Sequence, residues 1–156
     1  MIDVDIPGFK RLRLEHLVLD FNGTLATGGH LIEGVRNRLA ELGERLVIHV
    51  VTADTFGRVR EELAGAACQI HVLHAEAQSE AKRDYVTRLT AEATVAIGNG
   101  RNDRLMLERA ALGICIVGTE GAAREALQAA AVTCPSILEA LDLLREPLRL
   151  VATLRS

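Results

Sequence analysis

Residues 17–25 read Leu-Val-Leu-Asp-Phe-Asn-Gly-Thr-Leu, and this stretch decides the fold. Three apolar residues, of the kind found in buried strands, run straight into a carboxylate at Asp20. Asn22-Gly23-Thr24 then supplies the small and polar residues of a tight turn. A buried strand that ends in such a loop is typical of an open α/β sheet, in which ligands bind beyond the carboxyl ends of the strands.

Two later apolar runs end in the same manner. Val47–Val51 is followed by Thr52-Ala53-Asp54, and Val95–Ile97 is followed by Gly98-Asn99-Gly100-Arg101-Asn102-Asp103. Taken alone, each polar group is explained as a helix cap or a turn former. Three such strand ends at one edge of a sheet would instead form an oxygen-rich pocket, suited to Mg²⁺ and a phosphoryl group.

The whole chain alternates between strand-like and helical patterns. Aliphatic and β-branched runs lie near residues 14–19, 46–52, 69–74, 94–98 and 113–117, with a weaker run near 131–134. Between them lie apolar stripes at helical spacing, at Ile32/Val35/Leu39/Leu42, Phe56/Val59/Leu63, Tyr85/Val86/Leu89, Leu105/Met106/Ala110, Ala123/Ala126/Leu127 and Ile137/Leu138/Leu141/Leu144. The alternation predicts one α/β domain over residues 1–156, with a doubly wound, mostly parallel sheet and helices on both faces.

Three smaller segments have their own expectations. The stretch before Leu14, interrupted by Pro7-Gly8, predicts an extra edge strand or a hairpin. Residues 26–30 predict a tight turn that forms a flap over the site. Pro147 suits the first turn of a short terminal helix, which docks either on the body of the domain or on a second subunit.

A single lysine is placed where it can reach the predicted pocket. Residues 82, 85, 86 and 89 share one face of a helix, so Lys82 lies on the same side as Tyr85, Val86 and Leu89. A lysine at the edge of an apolar stripe can snorkel to water. We interpret Lys82 instead as pointing inward, toward the phosphoryl group.

Composition and charge narrow the class of protein. A net charge of −3 with scattered basic residues argues against a nucleic-acid partner. The apolar runs fall short of a membrane span and the start of the chain lacks an export signal, so we expect a cytoplasmic protein without membrane contact. The three cysteines form no CxxC pair and are interpreted as buried thiols.

The strand-end motifs resemble those of the haloacid-dehalogenase (HAD) superfamily. DFNGTLA is similar to its first motif DxDGT, VVTAD to its second, Lys82 to its third, and GNGRND to the fourth, GDGxND. DFNGTLA, TAD and GNGRND also resemble the DKTGT, TGD and GDGxND motifs of P-type ATPase phosphorylation domains. The chain is therefore most similar to a soluble, P-type-ATPase-like HAD protein, with the likeness spanning residues 14–134.

The resemblance implies a role for each matching residue, a Mg²⁺ cofactor and a small phosphorylated substrate. Asp20 would be the nucleophile that forms an aspartyl phosphate, Thr52 would bind the transferring phosphoryl oxygens, and Lys82 would neutralise their charge. Gly23, Thr24, Ala53 and Asn102 would complete the phosphate-binding loops. Mg²⁺ would be bound by Asp20, the backbone carbonyl of Asn22 and Asn99, with Asp103 holding or backing up the metal.

The sequence departs from the HAD pattern at Asn22 and Asn99, where phosphatases of the superfamily have Asp. A carboxamide cannot shuttle a proton near neutral pH. Asn22 lies where the family places its general acid and base, so the resemblance implies slow turnover. P-type ATPases have Thr there and keep a long-lived phosphoenzyme. Acyl and aryl phosphates, whose leaving groups need no proton, should be the better substrates.

The intervals between the motifs leave no room for a cap domain, so selectivity would come from the flap, from Arg101 or from a neighbouring subunit. Capless members of the superfamily often oligomerise, which implies a homodimer or homotetramer. Two functions stay open: an enzyme that works through Asp20, and a phosphate-binding or regulatory module that has lost turnover. A response-regulator receiver and a dinucleotide site both fit poorly, because Asp20 ends the first strong strand and the GxG segment comes late.

Overall fold

The structure is a computed structural model that describes residues 1–53, 57–74 and 76–156. Asp54 of the second motif and Phe56 of the second helical stripe lie outside the described residues. The strands are β1 (Ile2–Ile6), β2 (Lys10–Leu14), β3 (His16–Leu19), β4 (Ala26–Thr27), β5 (His30–Leu31), β6 (Val47–Thr52), β7 (Gln69–Val72), β8 (Thr94–Gly98), β9 (Leu112–Ile116) and β10 (Val132–Cys134). The helices are α1 (Val35–Gly43), α2 (Val59–Glu62), α3 (Gln78–Arg88), α4 (Arg104–Arg109), α5 (Arg124–Ala129), α6 (Ile137–Arg145) and α7 (Leu148–Leu154).

A six-stranded parallel sheet in the order β10-β9-β8-β3-β6-β7 forms the centre of the domain. The first strand of this sheet in the chain, β3, lies between β8 and β6, so the strand order reverses beside it. This reversal places the loops after β3, β6 and β8 at one crevice, where open α/β sheets bind ligands. The predicted doubly wound α/β fold is confirmed.

Helices cover both faces of the sheet, and the strands are apolar on both sides for that reason. Leu17 and Leu19 point into a large core with α1, α6 and the N-terminal strands. Val18 points the other way, into a smaller core that it shares with Tyr85 of α3 and Met106 of α4. Because the chain has only three Phe and one Tyr, both cores are built chiefly from aliphatic side chains.

The smaller segments follow the sequence expectations. Strands β1 and β2 form the N-terminal hairpin, a sheet of its own rather than an edge strand of the large one. The terminal helix α7 docks on the body, where Leu150 is fully buried. Over the described residues, none of the helices has the length and apolar character needed to cross a bilayer.

The predicted flap is the two-stranded hairpin β4–β5. Its tip is joined to the loop after β9: the hydroxyls of Thr27 and Thr119 lie 3.2 Å apart, and the Gly28 N–H donates to Glu120 over 3.3 Å. The other strand of the flap is bonded to α2, since the Leu31 N–H donates to Glu62 over 2.8 Å, so the flap is anchored on both sides.

Candidate active site

The three polar strand ends meet at one pocket. Asp20 directly follows β3, Thr52 is the last residue of β6, and Asn99 directly follows β8. A pocket of about 190 Å³ opens at this edge, lined by Asp20, Asn22, Thr52, Ala53, Gln78, Asn99, Gly100 and Asn102. Every pocket-lining residue except Gln78 and Gly100 was named as a site residue from the sequence.

Lys82 lies beneath the pocket and contacts two carboxylates. Its Nζ donates to Oδ1 of Asp20 over 2.7 Å and to Oδ1 of Asp103 over 2.6 Å. All three side chains are buried, and Lys82 and Asp103 have no exposed surface at all. A buried ammonium ion is tolerated only when it is paired and hydrogen-bonded, and two carboxylates provide that here. The inward orientation predicted for Lys82 is the one observed.

Asp103 connects the lysine to the fourth motif. While its Oδ1 accepts from Lys82, its Oδ2 accepts from the backbone N–H groups of Asn99 and Gly100, at 3.0 and 2.9 Å. One carboxylate therefore fixes both the turn after β8 and the position of the ammonium group. Gly98 lacks a side chain for a related reason: a Cβ there would lie 2.5 Å from the Asp103 carboxyl carbon.

The electrostatics of the triad favour a charged lysine and a weakened acid. Burial alone would lower the pKa of Lys82, but the charges of Asp20 and Asp103 outweigh it, and the net pKa lies above the usual range. Burial, together with the neighbouring charge of Asp103, raises the pKa of Asp20 to about 6, against the opposing effects of Lys82 and of a backbone hydrogen bond from Phe21. A buried carboxyl beside a second carboxylate is expected to behave in this way.

This raised pKa predicts that the Asp20 carboxyl group is protonated below about pH 6. Only the carboxylate form of an Asp is a nucleophile, so any reaction that needs a nucleophilic Asp20 should fall as the pH drops through that value and approach about tenfold loss per further pH unit. Carbon-13 NMR of the Asp carboxyl groups measures the titration directly, with Asp20→Asn used to assign the signal. A signal assigned to Asp20 that titrates near pH 4 would contradict the expectation.

The loop after β3 is shaped by Gly23 and Thr24. Gly23 has a φ of 79°, and a Cβ at this position would lie 2.5 Å from the Asn99 side-chain nitrogen, so only glycine fits. The buried Thr24 hydroxyl lies 3.4 Å from Oδ2 of Asp20 and 3.3 Å from Oδ1 of Asn99. Asn99 in turn donates to the backbone carbonyl of Gly121 over 3.0 Å.

Helix α3, which carries Lys82, is fixed by contacts that sequence reasoning missed. Near its start, the Asn102 side chain donates to Oε1 of Gln78 over 2.8 Å, and Arg104 donates to the Ser79 hydroxyl over 2.9 Å. One turn after Lys82, the Tyr85 hydroxyl is hydrogen-bonded to Nδ1 of His49 at 2.9 Å. For the pair His49 and Tyr85, the sequence shows only that two polar groups lie at otherwise apolar positions of a strand and a helix.

The residues at the pocket offer hard oxygen donors for a cation. Asp20 offers a carboxylate, Asn22 a backbone carbonyl and Asn99 a side-chain amide oxygen. Within the described ranges, no cluster of three or more His, Cys, Asp or Glu side chains could hold a metal ion. One carboxylate with neutral oxygens fits Mg²⁺, which typically keeps several waters and takes one or two carboxylates from the protein. A transition metal with nitrogen or sulfur ligands does not fit.

The comparisons with known proteins agree with this architecture. No protein-family model matches the chain. The chain is 48% identical over 61 residues to the uncharacterized protein MJ0073 of Methanocaldococcus jannaschii, covering 39% of this chain and 66% of that protein. It is also 25% identical over 126 residues to the soluble P-type ATPase-like phosphatase of the same organism, covering 79% of this chain and 46% of that one. The chain thus spans about two thirds and about half of these two relatives.

Solved structures share the fold. The cobalt-bound deoxy-D-mannose-octulosonate 8-phosphate phosphatase of Haemophilus influenzae has a TM-score of 0.70 at 13% identity, covering 86% of this chain and 88% of that one. The corresponding phosphatase of Moraxella catarrhalis, in complex with magnesium, phosphate and KDO, has a TM-score of 0.67 at 13% identity, covering 90% and 93%. The chain therefore has a HAD-like fold, and the described residues between the motifs contain no separate cap domain, as the sequence motifs predicted.

A third relative, also from M. jannaschii, matches the chain over most of its own length. The uncharacterized protein MJ0072 of M. jannaschii is 51% identical over 39 residues, which cover 25% of this chain and 89% of that protein. The chain belongs to the same family as MJ0072.

Proposed function

We propose that the protein is a Mg²⁺-dependent phosphatase or phosphotransferase that forms an aspartyl phosphate on Asp20. The observation that carries this proposal is the buried Asp20–Lys82–Asp103 triad beneath an oxygen-lined pocket. A structural role alone would not explain a fully buried ammonium ion bonded to the pocket-lining Asp20, because a pair of apolar residues is often as stable as a buried ion pair or more so.

In the proposed reaction, a carboxylate oxygen of Asp20 attacks phosphorus. The bond from phosphorus to the leaving-group oxygen breaks, and its electron pair departs with that oxygen. Water then attacks the aspartyl phosphate, which regenerates the Asp20 carboxylate and releases orthophosphate, with one proton passed to solvent. Thr52 and the Gly23–Thr24 turn would hold the phosphoryl oxygens, and Lys82 would offset the negative charge that Asp20 shares with them.

When bound, Mg²⁺ would neutralise charge on the phosphoryl group. Asp20, Asn22 and Asn99 are the residues proposed to hold it. Because the carboxylate of Asp103 is taken up by Lys82 and two backbone N–H groups, we propose that Asp103 supports the metal indirectly, through the Asn99 turn. A site with one direct carboxylate should bind Mg²⁺ weakly.

The carboxamide at Asn22 sets the proposed substrate preference. It lines the pocket but carries no proton to give to a leaving group. Acyl and aryl phosphates release weakly basic oxygens that depart without a proton, so they would react faster than alkyl esters. For the same reason, hydrolysis of the aspartyl phosphate would be slow and the phosphoenzyme long-lived.

Acid-quenched labelling tests the proposal. Incubation with ³²P-acetyl phosphate and Mg²⁺ should label the wild-type chain, and hydroxylamine should remove the label, as it does from acyl phosphates. Asp20→Asn should abolish labelling, because the amide is not a nucleophile. Asp142→Asn is the matched control, since this carboxylate is paired with Arg38 away from the pocket. Labelling that persists in Asp20→Asn would refute the nucleophile.

A second candidate is a phosphate-binding module with the same pocket but without turnover, and the observation that favours it is Asn22. Orthophosphate binding without any labelling of Asp20 would support the phosphate-binding module over the enzyme. The homodimer or homotetramer and the cytoplasmic location remain predictions from the sequence.

A further inference from the structure

A second cavity lies on the other side of the phosphate loop. Its volume is about 460 Å³, within the range of small-molecule sites. The wall is formed by the loop residues Gly23 and Thr24, Thr27 of the flap, Ile32, residues 116–119 after β9, and residues 135–138 at the start of α6. Consecutive residues of one loop therefore line both cavities, since Asn22 faces the catalytic pocket.

The chemistry of this second cavity differs from that of the catalytic pocket. None of its described lining residues carries a charge, and most of the wall is aliphatic. Its main polar groups are partly occupied: the hydroxyls of Thr27 and Thr119 are within hydrogen-bonding distance of each other, and Ser136 accepts from the backbone N–H of Leu138. Such a wall favours an uncharged, apolar group, because a charged one would lose its hydration without compensation.

From these observations we infer that the second cavity is the seat of the substrate's leaving group, and that the leaving group is an apolar aryl or acyl moiety. The inference rests on the proposed phosphotransfer at Asp20 and specifies its substrate class. The two cavities share the loop that contains Asn22 and Gly23, so a substrate with its phosphoryl group over Asp20 would reach the second cavity by crossing this turn.

Two independent features point to aryl and acyl phosphates as the substrate class. Asn22 cannot protonate a departing oxygen, which selects aryl and acyl phosphates on chemical grounds. The uncharged cavity selects an apolar body on the grounds of desolvation, without reference to the reaction. A sugar phosphate would satisfy neither feature, because its alkoxide needs a proton and its hydroxyls need partners that the aliphatic wall lacks.

Substitutions of Val117 test whether the second cavity binds the leaving group. Val117 lines the cavity, directly after β9, and is 44% exposed, so a substitution there is compatible with folding. Val72 is the matched control: it also lies at the carboxyl end of a strand of the same sheet, is 47% exposed, and is absent from the lining of either cavity.

The experiment compares 2-naphthyl phosphate, whose ring system needs the seat, with acetyl phosphate, whose methyl group does not fill it. Val117→Asp should lower the ratio of kcat/KM for 2-naphthyl phosphate to that for acetyl phosphate by about tenfold or more, the scale on which apolar pockets discriminate. Val117→Trp, which fills the cavity instead of charging it, should change the ratio in the same direction. Val72→Asp should leave the ratio at the wild-type value.

The outcomes separate the inference from the proposed function. Wild-type labelling of Asp20 by acetyl phosphate, with a ratio unchanged in both Val117 variants, would overturn the leaving-group seat alone. If neither acetyl phosphate nor 2-naphthyl phosphate labelled Asp20, the proposed phosphotransfer and the leaving-group site would both be overturned. A fall in the ratio for both Val117 variants, but not for Val72→Asp, supports the seat.

Discussion

Asn22→Asp is expected to raise the rate of phosphate release by about 10²–10⁴-fold, the usual contribution of a general acid and base. Asn22 already lines the pocket. In the proposed reaction, the new carboxyl group would lie beside the departing oxygen and the approaching water. The gain should be largest for alkyl esters, because their leaving groups need the proton most. The lifetime of the aspartyl phosphate should shorten accordingly.

Steady-state release from p-nitrophenyl phosphate and glycerol phosphate, together with decay of the labelled enzyme, measures this change. Asn99→Asp is the matched control, since it adds the same charge to the same pocket without occupying the position of the acid and base. It should alter the Mg²⁺ requirement more than the preference among leaving groups. Equal increases in kcat/KM for both esters in Asn22→Asp would show that added charge, and not proton transfer to the leaving group, is responsible.

Lys82→Met is expected to lower the free energy of unfolding by about 3–5 kcal/mol at neutral pH and to abolish labelling of Asp20. Methionine matches the length of the lysine stem but removes the ammonium group, so two buried carboxylates would be left without their shared counter-charge. Breaking a buried ion pair costs more than the pair contributes, because the remaining charge has lost its hydration.

Urea denaturation, monitored by circular dichroism, measures the loss in the free energy of unfolding. The chain contains one other lysine, Lys10, which is exposed, and Lys10→Met should change stability little. Adding Asp103→Asn to Lys82→Met removes one of the two stranded carboxylates and should restore part of the stability without restoring labelling. If Lys82→Met proved as stable as Lys10→Met, the triad would not be the desolvated ion cluster described here.

The sequence predicted the fold and most of the pocket because those features follow from local patterns. Apolar runs that end in polar residues identified β3, β6 and β8, and parallel sheets bring such ends together regardless of the details of packing. The placement of Lys82 followed from helical periodicity alone, since its neighbours on one face of α3 are apolar.

Other features depend on which elements become neighbours, and no local pattern contains that information. The second cavity joins the flap to the loops after β9 and β10, and its closing contact links Thr27 to Thr119 across 92 positions of the chain. The contact between Gln78 and Asn102 depends in the same way on how α3 meets the fourth motif. The hydrogen-bond partners of the Asp103 carboxylate could not be predicted either, because two of them are backbone N–H groups of a turn.

The hydrogen bond from the Asp20 N–H to the carbonyl of Ile97, at 3.0 Å, continues the β3–β8 ladder through the proposed nucleophile itself. Asp20 therefore cannot shift relative to the neighbouring strand without breaking a bond in the middle of the sheet. The flap and the loops around the second cavity are short, peripheral segments joined by exposed contacts. Apart from the shared Gly23–Thr24 turn, the proposed recognition surface is thus carried by segments other than the one that holds Asp20, which would allow specificity to be altered in the flap and in the loops after β9 and β10 while Asp20 keeps its place in the sheet.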